Sequence, residues 1–377
     1  MKKKYHHLAN GTFRNPEGSK VIDMNFNWSF KVFNQEKKKL DMTFPESNII
    51  KKEKVLSDLK NFKDKLNTKL ASIKDLIIST YLPDLLDTFA KLVRPNIQII
   101  EPENLDRYLS ENGESIEYVF HLGAISSTTE KDVDLILRNN FNLSLSLWNW
   151  CTNNRIPFIY ASSAATYGDG KNGFNDDFDP IELSKLKPLN PYGWSKHLFD
   201  KLVNYDVLNG SAHPPQWAGL KFFNVFGPNE FHKGAQSSLI AQIYPRIIRN
   251  EPAKLFKSHK EGINDGEQSR DFIWIEDCVD IMIWLYENRD ISGLFNVGTG
   301  QARSFKNLVE AIYHSLKREP KIDFIDTPHH LRDQYQYFTQ ASMTKLKSAG
   351  YKNAFTSLED GVQKYVRDFL STDNPYR

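Results

Sequence analysis

Two short segments of the chain carry the residues that could do chemistry. One is Tyr160–Gly168, where an apolar run ends in hydroxyl side chains that include Ser163. The other is Pro191–Lys196, which places Tyr192 and Lys196 four positions apart at the start of a helical pattern, so that both point from one face. A tyrosine, a lysine one turn away and a serine at a strand tip could move a proton on and off a sugar hydroxyl while a cofactor takes the hydride.

The lysine could lower the pKa of the tyrosine, which is otherwise too high for a base at neutral pH. A free tyrosine has a pKa of about 10 and is a poor base at neutral pH. A nearby ammonium favours the phenolate and lowers that pKa, and a serine hydroxyl can hold the substrate oxygen in line with the phenol. A Tyr-x-x-x-Lys pair alone occurs by chance, and the alternative interpretation is an exposed pair on a helix. The preceding strand with its serines favours a catalytic site over an exposed helix pair.

Short apolar runs alternate with helical stretches from residue 71 onward. Strands are predicted at 97–100, 117–122, 157–160, 217–225 and 294–297, and helices at 102–110, 132–153, 191–208, 237–249 and 305–317. This alternation predicts an α/β fold with a doubly wound, Rossmann-like parallel sheet. Ligands bind at the carboxyl edge of such a sheet, where the hydroxyl-rich segment lies.

The domain organisation follows from the same pattern. Residues 1–70 fit no βαβ unit and are predicted to be an atypical segment of unknown fold. Residues 71–228 form the predicted dinucleotide-binding core, incomplete at its start, and 271–300 return to it. Residues 229–270 and 301–377 form a smaller, predicted substrate-binding region.

Bulk composition excludes several classes of protein. The chain has 377 residues, 40% of them hydrophobic and 25% charged, an ordinary globular mix. A net charge of +2 argues against nucleic acid and anionic membranes as partners, and no apolar run has membrane-spanning length. Cys151 and Cys278 cannot make a disulfide framework, so we expect core packing and a cytoplasmic protein. The histidine pairs at 6–7 and 329–330 lack metal-ligand spacing, and no metal is expected.

Four longer motifs carry a resemblance to a known family. They are His121–Glu130, Tyr160–Gly168, Phe223–Gly234 and Tyr335–Gln340. Together they resemble the extended short-chain dehydrogenase/reductases, the group of nucleotide-sugar epimerases and dehydratases. Within that group the match is narrower and resembles the ADP-glyceromanno-heptose 6-epimerases, from about residue 92 to the end of the chain.

The resemblance implies an isomerase that uses NADP. The implied reaction converts ADP-D-glycero-β-D-manno-heptose to ADP-L-glycero-β-D-manno-heptose, a precursor of the lipopolysaccharide core, by transient oxidation at C6. It also implies an ADP-sugar as the small-molecule partner and a homo-oligomer.

The resemblance also implies roles for four catalytic residues. Tyr192 and Lys233 would act as proton acceptor or donor on opposite sides of the reacting carbon. Lys196 would lower the pKa of Tyr192 and hold the nicotinamide ribose, and Ser163 would position the reacting oxygen. Lys233 follows a strand end and a Gly-Pro turn, so it can overhang the site; the alternative is a solvated loop lysine.

Cofactor and substrate contacts follow from the same resemblance. The implied cofactor contacts are Leu122, Gly123, Ala124, Ile125, Ser126, Asn139, Lys196, Val225 and Lys233. The implied substrate contacts are Ser163, Asn224, Ala235, Gln242, Phe256, Arg270 and Tyr335. Many members of the family have a serine where this chain has Ala235.

Physical chemistry supports some of these positions and leaves alternatives open. Small residues at Gly123 and Ala124 let the backbone approach a dinucleotide, although a plain turn looks the same. Asparagine is unfavourable inside a helix, so Asn139 either has a role or is simply exposed. The Arg270 guanidinium suits a diphosphate, and the alternative is a surface ion pair with Asp271.

One departure from the family pattern lies in the amino-terminal part of the chain. Members open with a strand followed by Gly-x-x-Gly-x-x-Gly, which lets a helix amino terminus meet the pyrophosphate. Here no glycine occurs between Gly18 and Gly113, and the candidate strand 76–79 leads into Thr80–Pro83, whose side chains would collide with a pyrophosphate. This predicts weak or absent NADP binding.

The missing glycines leave alternative functions open. One is a catalytically impaired homologue, truncated or fused, that lacks a working cofactor site. Another is a different nucleotide-sugar epimerase or dehydratase. A third is a partner-binding role in which residues 1–70 are the interaction segment.

Overall fold

The computed structural model describes residues 6–7, 13–14, 76–79, 97–100, 104–230, 233, 236–328, 332 and 335–372. The chain divides into two compact units. The smaller unit comprises Met1–Glu117, Gly123–Ser146 and Arg377, and the larger comprises Tyr118–Leu122 and Leu147–Tyr376.

Thirteen strands lie within the described residues. They are β1 His6–His7, β2 Phe13–Arg14, β3 Leu76–Ser79, β4 Ile97–Ile100, β5 Val119–His121, β6 Phe158–Ser163, β7 Trp217–Phe222, β8 Asn224–Phe226, β9 Ala253–Phe256, β10 Ser269–Trp274, β11 Gly293–Val297, β12 Ala302–Ser304 and β13 Ile322–Ile325.

The α-helices of the described residues are α1 Leu105–Asn112, α2 Val133–Ile136, α3 Leu143–Asn154, α4 Pro180–Lys185, α5 Pro191–Leu208, α6 Leu239–Ile248, α7 Ile275–Glu287, α8 Phe305–Ser315, α9 Thr344–Ser348 and α10 Leu358–Tyr365. A wider π-type turn, Leu137–Asn142, joins α2 to α3. None of these helices combines the length and the apolar character needed to cross a membrane.

The larger unit contains the predicted parallel sheet, with strand order β11-β7-β6-β5. Ser163 at the end of β6 lies opposite Phe222 at the end of β7, so both strands end at one edge. The predicted α/β fold with a parallel sheet is therefore confirmed. Trp148 packs edge-on against Trp217 and Phe158, and Cys151 is buried without a disulfide, as predicted.

The single strand predicted at 217–225 is wrong, because the chain changes sheets within it. Phe223 separates β7 from β8, and its N–H donates to the Val297 carbonyl at 3.0 Å. Strand β8 then pairs with β10 in a second sheet of order β12-β10-β8. A change of sheet leaves the apolar pattern of the strand unchanged, so the sequence does not reveal it.

The smaller unit contains parallel strands β3 and β4, which pair from Leu76 opposite Ile97 to Ser79 opposite Ile100. Both strands were predicted. The Thr80–Pro83 segment lies outside the described residues, as does nearly all of residues 1–70. The predicted domain boundaries stay predictions.

Helix α5 begins where the sequence predicts, and its start has a clear physical cause. Asn190 caps the helix by accepting a hydrogen bond from the Gly193 N–H at 2.8 Å, and Pro191 occupies the first helical position. The cap therefore fixes the turn that carries Tyr192.

We expect Asn190→Ala to lower the free energy of unfolding by about 1 kcal/mol, because one helix N–H loses its acceptor. Urea denaturation followed by circular dichroism measures the change. Asn209→Ala, at the exposed end of the same helix, is the matched control and should change stability by less than about 0.5 kcal/mol. Equal effects of the two variants would contradict the capping role.

Candidate active site

Tyr192 and Ser163 meet at the carboxyl end of β6. The Tyr192 phenol lies close enough to Ser163 for a side-chain hydrogen-bonding interaction that lowers the pKa of the phenol. Gly193 makes this approach possible, because a Cβ there would lie 2.8 Å from the Ala165 carbonyl oxygen. The structure thus brings together two of the predicted catalytic residues.

The pKa of Tyr192 differs from the sequence-based expectation. Burial raises the pKa of the phenol above its ordinary value, the hydrogen bond with Ser163 lowers it, and the negative charge of Asp200 raises it further. The expected net lowering by Lys196 is therefore wrong for the protein in this state, because loss of water around the phenol outweighs favourable contacts. Lys196 is itself buried on the same helix.

His121 at the end of β5 is a second titratable group close to Lys196. Burial lowers the pKa of His121 to about 3, and the charge of Lys196 acts in the same direction. The imidazole is therefore neutral at physiological pH. It adds no positive charge to the site.

A buried carboxylate holds helix α5 against the sheet. Asp200 accepts hydrogen bonds from the Tyr160 hydroxyl at 3.0 Å and the Ser162 hydroxyl at 2.7 Å. It also forms an ion pair with Lys221 at 2.6 Å, and both side chains are 0% exposed. Lys221 donates to the Thr166 hydroxyl at 2.9 Å.

Arg270 lies in an aromatic cluster of the larger unit. Its guanidinium stacks on the rings of Phe305 and Tyr335, each centroid 5.4 Å away. Phe256 packs edge-on against Tyr335 at 6.3 Å. Three of the predicted substrate contacts, Phe256, Arg270 and Tyr335, are therefore brought together.

The alternative interpretation of Arg270 as a surface ion pair is wrong. Arg270 is buried, and Asp271 instead accepts hydrogen bonds from Thr299, Gly300 and Ala341. Among the described residues no carboxylate pairs with Arg270, and burial lowers its pKa to about 10. A buried cation that is still charged at neutral pH suits an incoming anion.

Lys233 lies in a loop whose start is anchored. Glu230 is buried and accepts hydrogen bonds from the backbone N–H and the hydroxyl of Ser238, the N-cap of α6. The half-buried Lys233 donates its backbone N–H to the Glu230 carbonyl at 2.9 Å. The neighbouring Ala235 lies outside the described residues.

The other predicted contacts of the larger unit are Asn224, Val225 and Gln242. Asn224 is exposed and Val225 half-buried, and they are the first two residues of β8. Gln242 is exposed on α6, where its amide donates to the Ser237 carbonyl at 2.7 Å.

Leu122 is 40% exposed and is the last residue of the Tyr118–Leu122 segment of the larger unit, which contains β5. The predicted cofactor loop Gly123–Ser126 belongs to the smaller unit. Asn140 holds this loop, because its side chain accepts from the Ile125 N–H at 2.7 Å and donates to the Ile125 carbonyl at 2.9 Å. Asn139 is 1% exposed, so the alternative of an exposed asparagine is wrong. Its amide donates to the Leu135 carbonyl, while its Oδ1 is buried without a hydrogen-bond partner among the described residues.

Sequence reasoning missed Asn140, Asp200 and Lys221. Two signals were available. Asp200 continues the four-residue spacing of Tyr192 and Lys196, and Lys221 is a charged residue inside an apolar strand.

This fold and site define a class of enzyme. The chain belongs to the NAD dependent epimerase/dehydratase family, whose model matches residues 83–298, more than half of the chain. A nicotinamide cofactor therefore accompanies this fold.

The relatives within the family are more specific. ADP-L-glycero-D-manno-heptose-6-epimerase of Fusobacterium nucleatum is 46% identical over 285 residues, which cover 74% of this chain and 85% of that protein. The protein of the same name from Nitratidesulfovibrio vulgaris strain DP4 is 47% identical over 262 residues, covering 69% and 79%. The crystal structure of the Helicobacter pylori ADP-L-glycero-D-manno-heptose-6-epimerase superimposes with a TM-score of 0.63 at 26% identity, covering 82% of this chain and 93% of that one. The resemblance read from the motifs is confirmed.

His197 gives the site region a distinct pH dependence. It is 1% exposed, its Nδ1 has no hydrogen-bond partner among the described residues, and burial lowers its pKa from 6.5 to about 4. Below pH 6.5 the unfolded chain binds this proton more readily, so its contribution to stability is lost as the pH falls from 6.5 towards 4.

Between pH 6.5 and pH 4, we expect the free energy of unfolding to fall by on the order of 3 kcal/mol more in the parent than in His197→Gln, since each pKa unit is worth about 1.4 kcal/mol. Urea unfolding at pH 6.5 and pH 4 measures the difference, and carboxylates common to both proteins cancel. Exposed His213→Gln is the control. Parallel stability curves for the parent and His197→Gln would rule out the buried neutral imidazole.

Proposed function

We propose that this protein epimerises ADP-D-glycero-β-D-manno-heptose to ADP-L-glycero-β-D-manno-heptose by transient oxidation at C6. The observation that carries the proposal is the proximity of the Tyr192 phenol to Ser163 at the end of β6, where Ser163 lowers the pKa of the phenol. The 46% identity over most of an enzyme named for this substrate supports the same conclusion. Other epimerase or dehydratase activities have no comparable support.

Tyr192 and Ser163 handle the proton of the reacting hydroxyl. Ser163 orients that oxygen, and the phenol accepts its proton or returns it. Because burial raises the pKa of Tyr192, the phenol holds its proton well and suits the donor half of the cycle. The acceptor half requires positive charge nearby, which Lys196 and an oxidised nicotinamide both carry.

Inversion at one carbon requires a second group on the opposite side. We assign this role to Lys233. Its loop is held by hydrogen bonds between Glu230, which precedes it, and Ser238, which follows it. A lysine in this place donates or accepts a proton when the carbonyl is presented by its other face.

The proposed cofactor is NADP, which when bound supplies the hydride acceptor and donor. Among the described residues, the Oδ1 of Asn139 is buried and has no hydrogen-bond donor, so a polar group of a bound ligand could donate to it. Asn140 fixes the backbone of the adjoining loop through both polar groups of Ile125. The absence of glycine between Gly18 and Gly113 argues for weak affinity.

Arg270 is the proposed contact for the diphosphate of ADP. Its guanidinium is buried beside two aromatic rings, so a bound anion would be shielded from water. Phe256 and Tyr335 complete this cluster and offer apolar surface beside the charge. Assembly into a homo-oligomer and a cytoplasmic location stay predictions.

We expect Tyr192→Phe to lower kcat by about 10²- to 10⁴-fold, because the variant keeps the ring and loses the proton-transferring hydroxyl. Nuclear magnetic resonance of the ADP-heptose epimers, with NADP supplied, measures the rate. Tyr205→Phe on the same helix is the control, since Tyr205 is 67% exposed. Full activity of Tyr192→Phe would eliminate the phenol as the acid–base group.

We expect Arg270→Met to raise the KM for ADP-heptose about 10- to 100-fold while kcat changes little, because charge-assisted hydrogen bonds to the diphosphate are lost. Steady-state kinetics at saturating NADP measures both constants. The control is Arg303→Met on the adjacent strand, where the guanidinium pairs with Glu359 instead. An unchanged KM for Arg270→Met would place the diphosphate elsewhere.

A further inference from the structure

Three residues of helix α5 share one face at steps of four. Tyr192, Lys196 and Asp200 follow one another along the helix, and the first two belong to the proposed reaction. Asp200 is the innermost of the three and is 0% exposed. Whatever fixes the rotation of Asp200 about the helix axis also fixes where Tyr192 points.

The partners of Asp200 come from two neighbouring strands. Tyr160 and Ser162 of β6 donate to its two carboxylate oxygens, and Lys221 of β7 donates at 2.6 Å. A helix joined to two strands by one carboxylate cannot turn or slide without breaking a charged hydrogen bond in the dry interior.

The same network reaches Ser163 from the other side. Lys221 donates to Thr166, and the Thr166 hydroxyl donates to the Ser163 carbonyl at 2.8 Å. Ser162, bonded to Asp200, precedes Ser163 in β6. Both members of the Tyr192–Ser163 pair are thus tied to the Asp200–Lys221 ion pair.

We propose that Asp200, paired with Lys221, is a positioning residue for the reaction, because it sets the helix rotation that keeps the Tyr192 hydroxyl at Ser163. The inference rests on the proposed function for its kinetic readout. An ion pair that only stabilised the core would need no link to either reacting residue. Here Ser163 is linked to the ion pair through Thr166 and through Ser162, and Tyr192 lies on the same helix as Asp200.

The test compares two buried carboxylates. Asp200→Asn keeps the shape of the side chain but loses its charge. We expect kcat to fall about 10- to 100-fold, since small displacements of acid–base groups have effects of this size, while the KM for ADP-heptose changes less than about twofold. The control is Asp277→Asn, because Asp277 is buried and binds Thr356 through both oxygens. The control should lose stability and keep its kcat.

A second pair of variants keeps the proposal testable if Asp200→Asn does not fold. Lys221→Met removes the positive charge, whereas Lys221→Arg retains it and can still pair with Asp200. We expect Lys221→Met to lose kcat as Asp200→Asn does, and Lys221→Arg to recover most of it. Equal loss in Lys221→Met and Lys221→Arg, or a folded Asp200→Asn with the parent kcat, would overturn the positioning role.

Failure of the proposed function is recognised separately. If the parent protein does not convert ADP-heptose, the proposed function is refuted, and the positioning role is tested by crystal structures of the parent and Asp200→Asn. The expected result is a Tyr192 hydroxyl displaced away from Ser163 in the variant only. A Tyr192 hydroxyl in the same position relative to Ser163 in both structures would overturn the inference whatever the substrate.

Discussion

The carboxylate of Asp200 is the point at which helix α5 is joined to strands β6 and β7. Burial of a charge is costly, and here a lysine and two hydroxyls offset that cost inside the larger unit. Because Tyr192 lies two helical turns before Asp200, the helix rotation that satisfies the carboxylate also turns the phenol towards Ser163. The chemistry of the site therefore depends on an interaction that touches no substrate.

Burial shifts the pKa of Tyr192 and the pKa of Arg270 in opposite directions, because it disfavours the charged form of each group. At Tyr192 it raises the pKa, so the phenol keeps its proton until positive charge is near. At Arg270 it lowers the pKa only to about 10, so the guanidinium stays charged in an apolar surrounding. In the proposed function, the phenol serves the reacting hydroxyl of the substrate and the guanidinium serves its diphosphate.

Local sequence patterns predicted part of this arrangement. Asparagine followed by proline marked the start of α5, and the apolar run before Ser163 marked β6, so the Tyr192–Ser163 pair could be predicted. Asp200 was missed because Ser162 and Lys221 lie 38 and 21 residues away from it, beyond the reach of any periodicity. The raised pKa of Tyr192 was missed because the degree of burial is a property of tertiary packing.

The most direct test is the ionisation of the Tyr192 phenol in the cofactor-free protein. Carbon-13 labelling of the tyrosine Cζ atoms and nuclear magnetic resonance over a pH series give its midpoint, with the signal assigned by its absence in Tyr192→Phe. We expect a midpoint above the ordinary value of 10.0, because burial and Asp200 disfavour the phenolate. A midpoint at or below 10.0 would show that burial does not dominate the ionisation of the phenol, contrary to the structure.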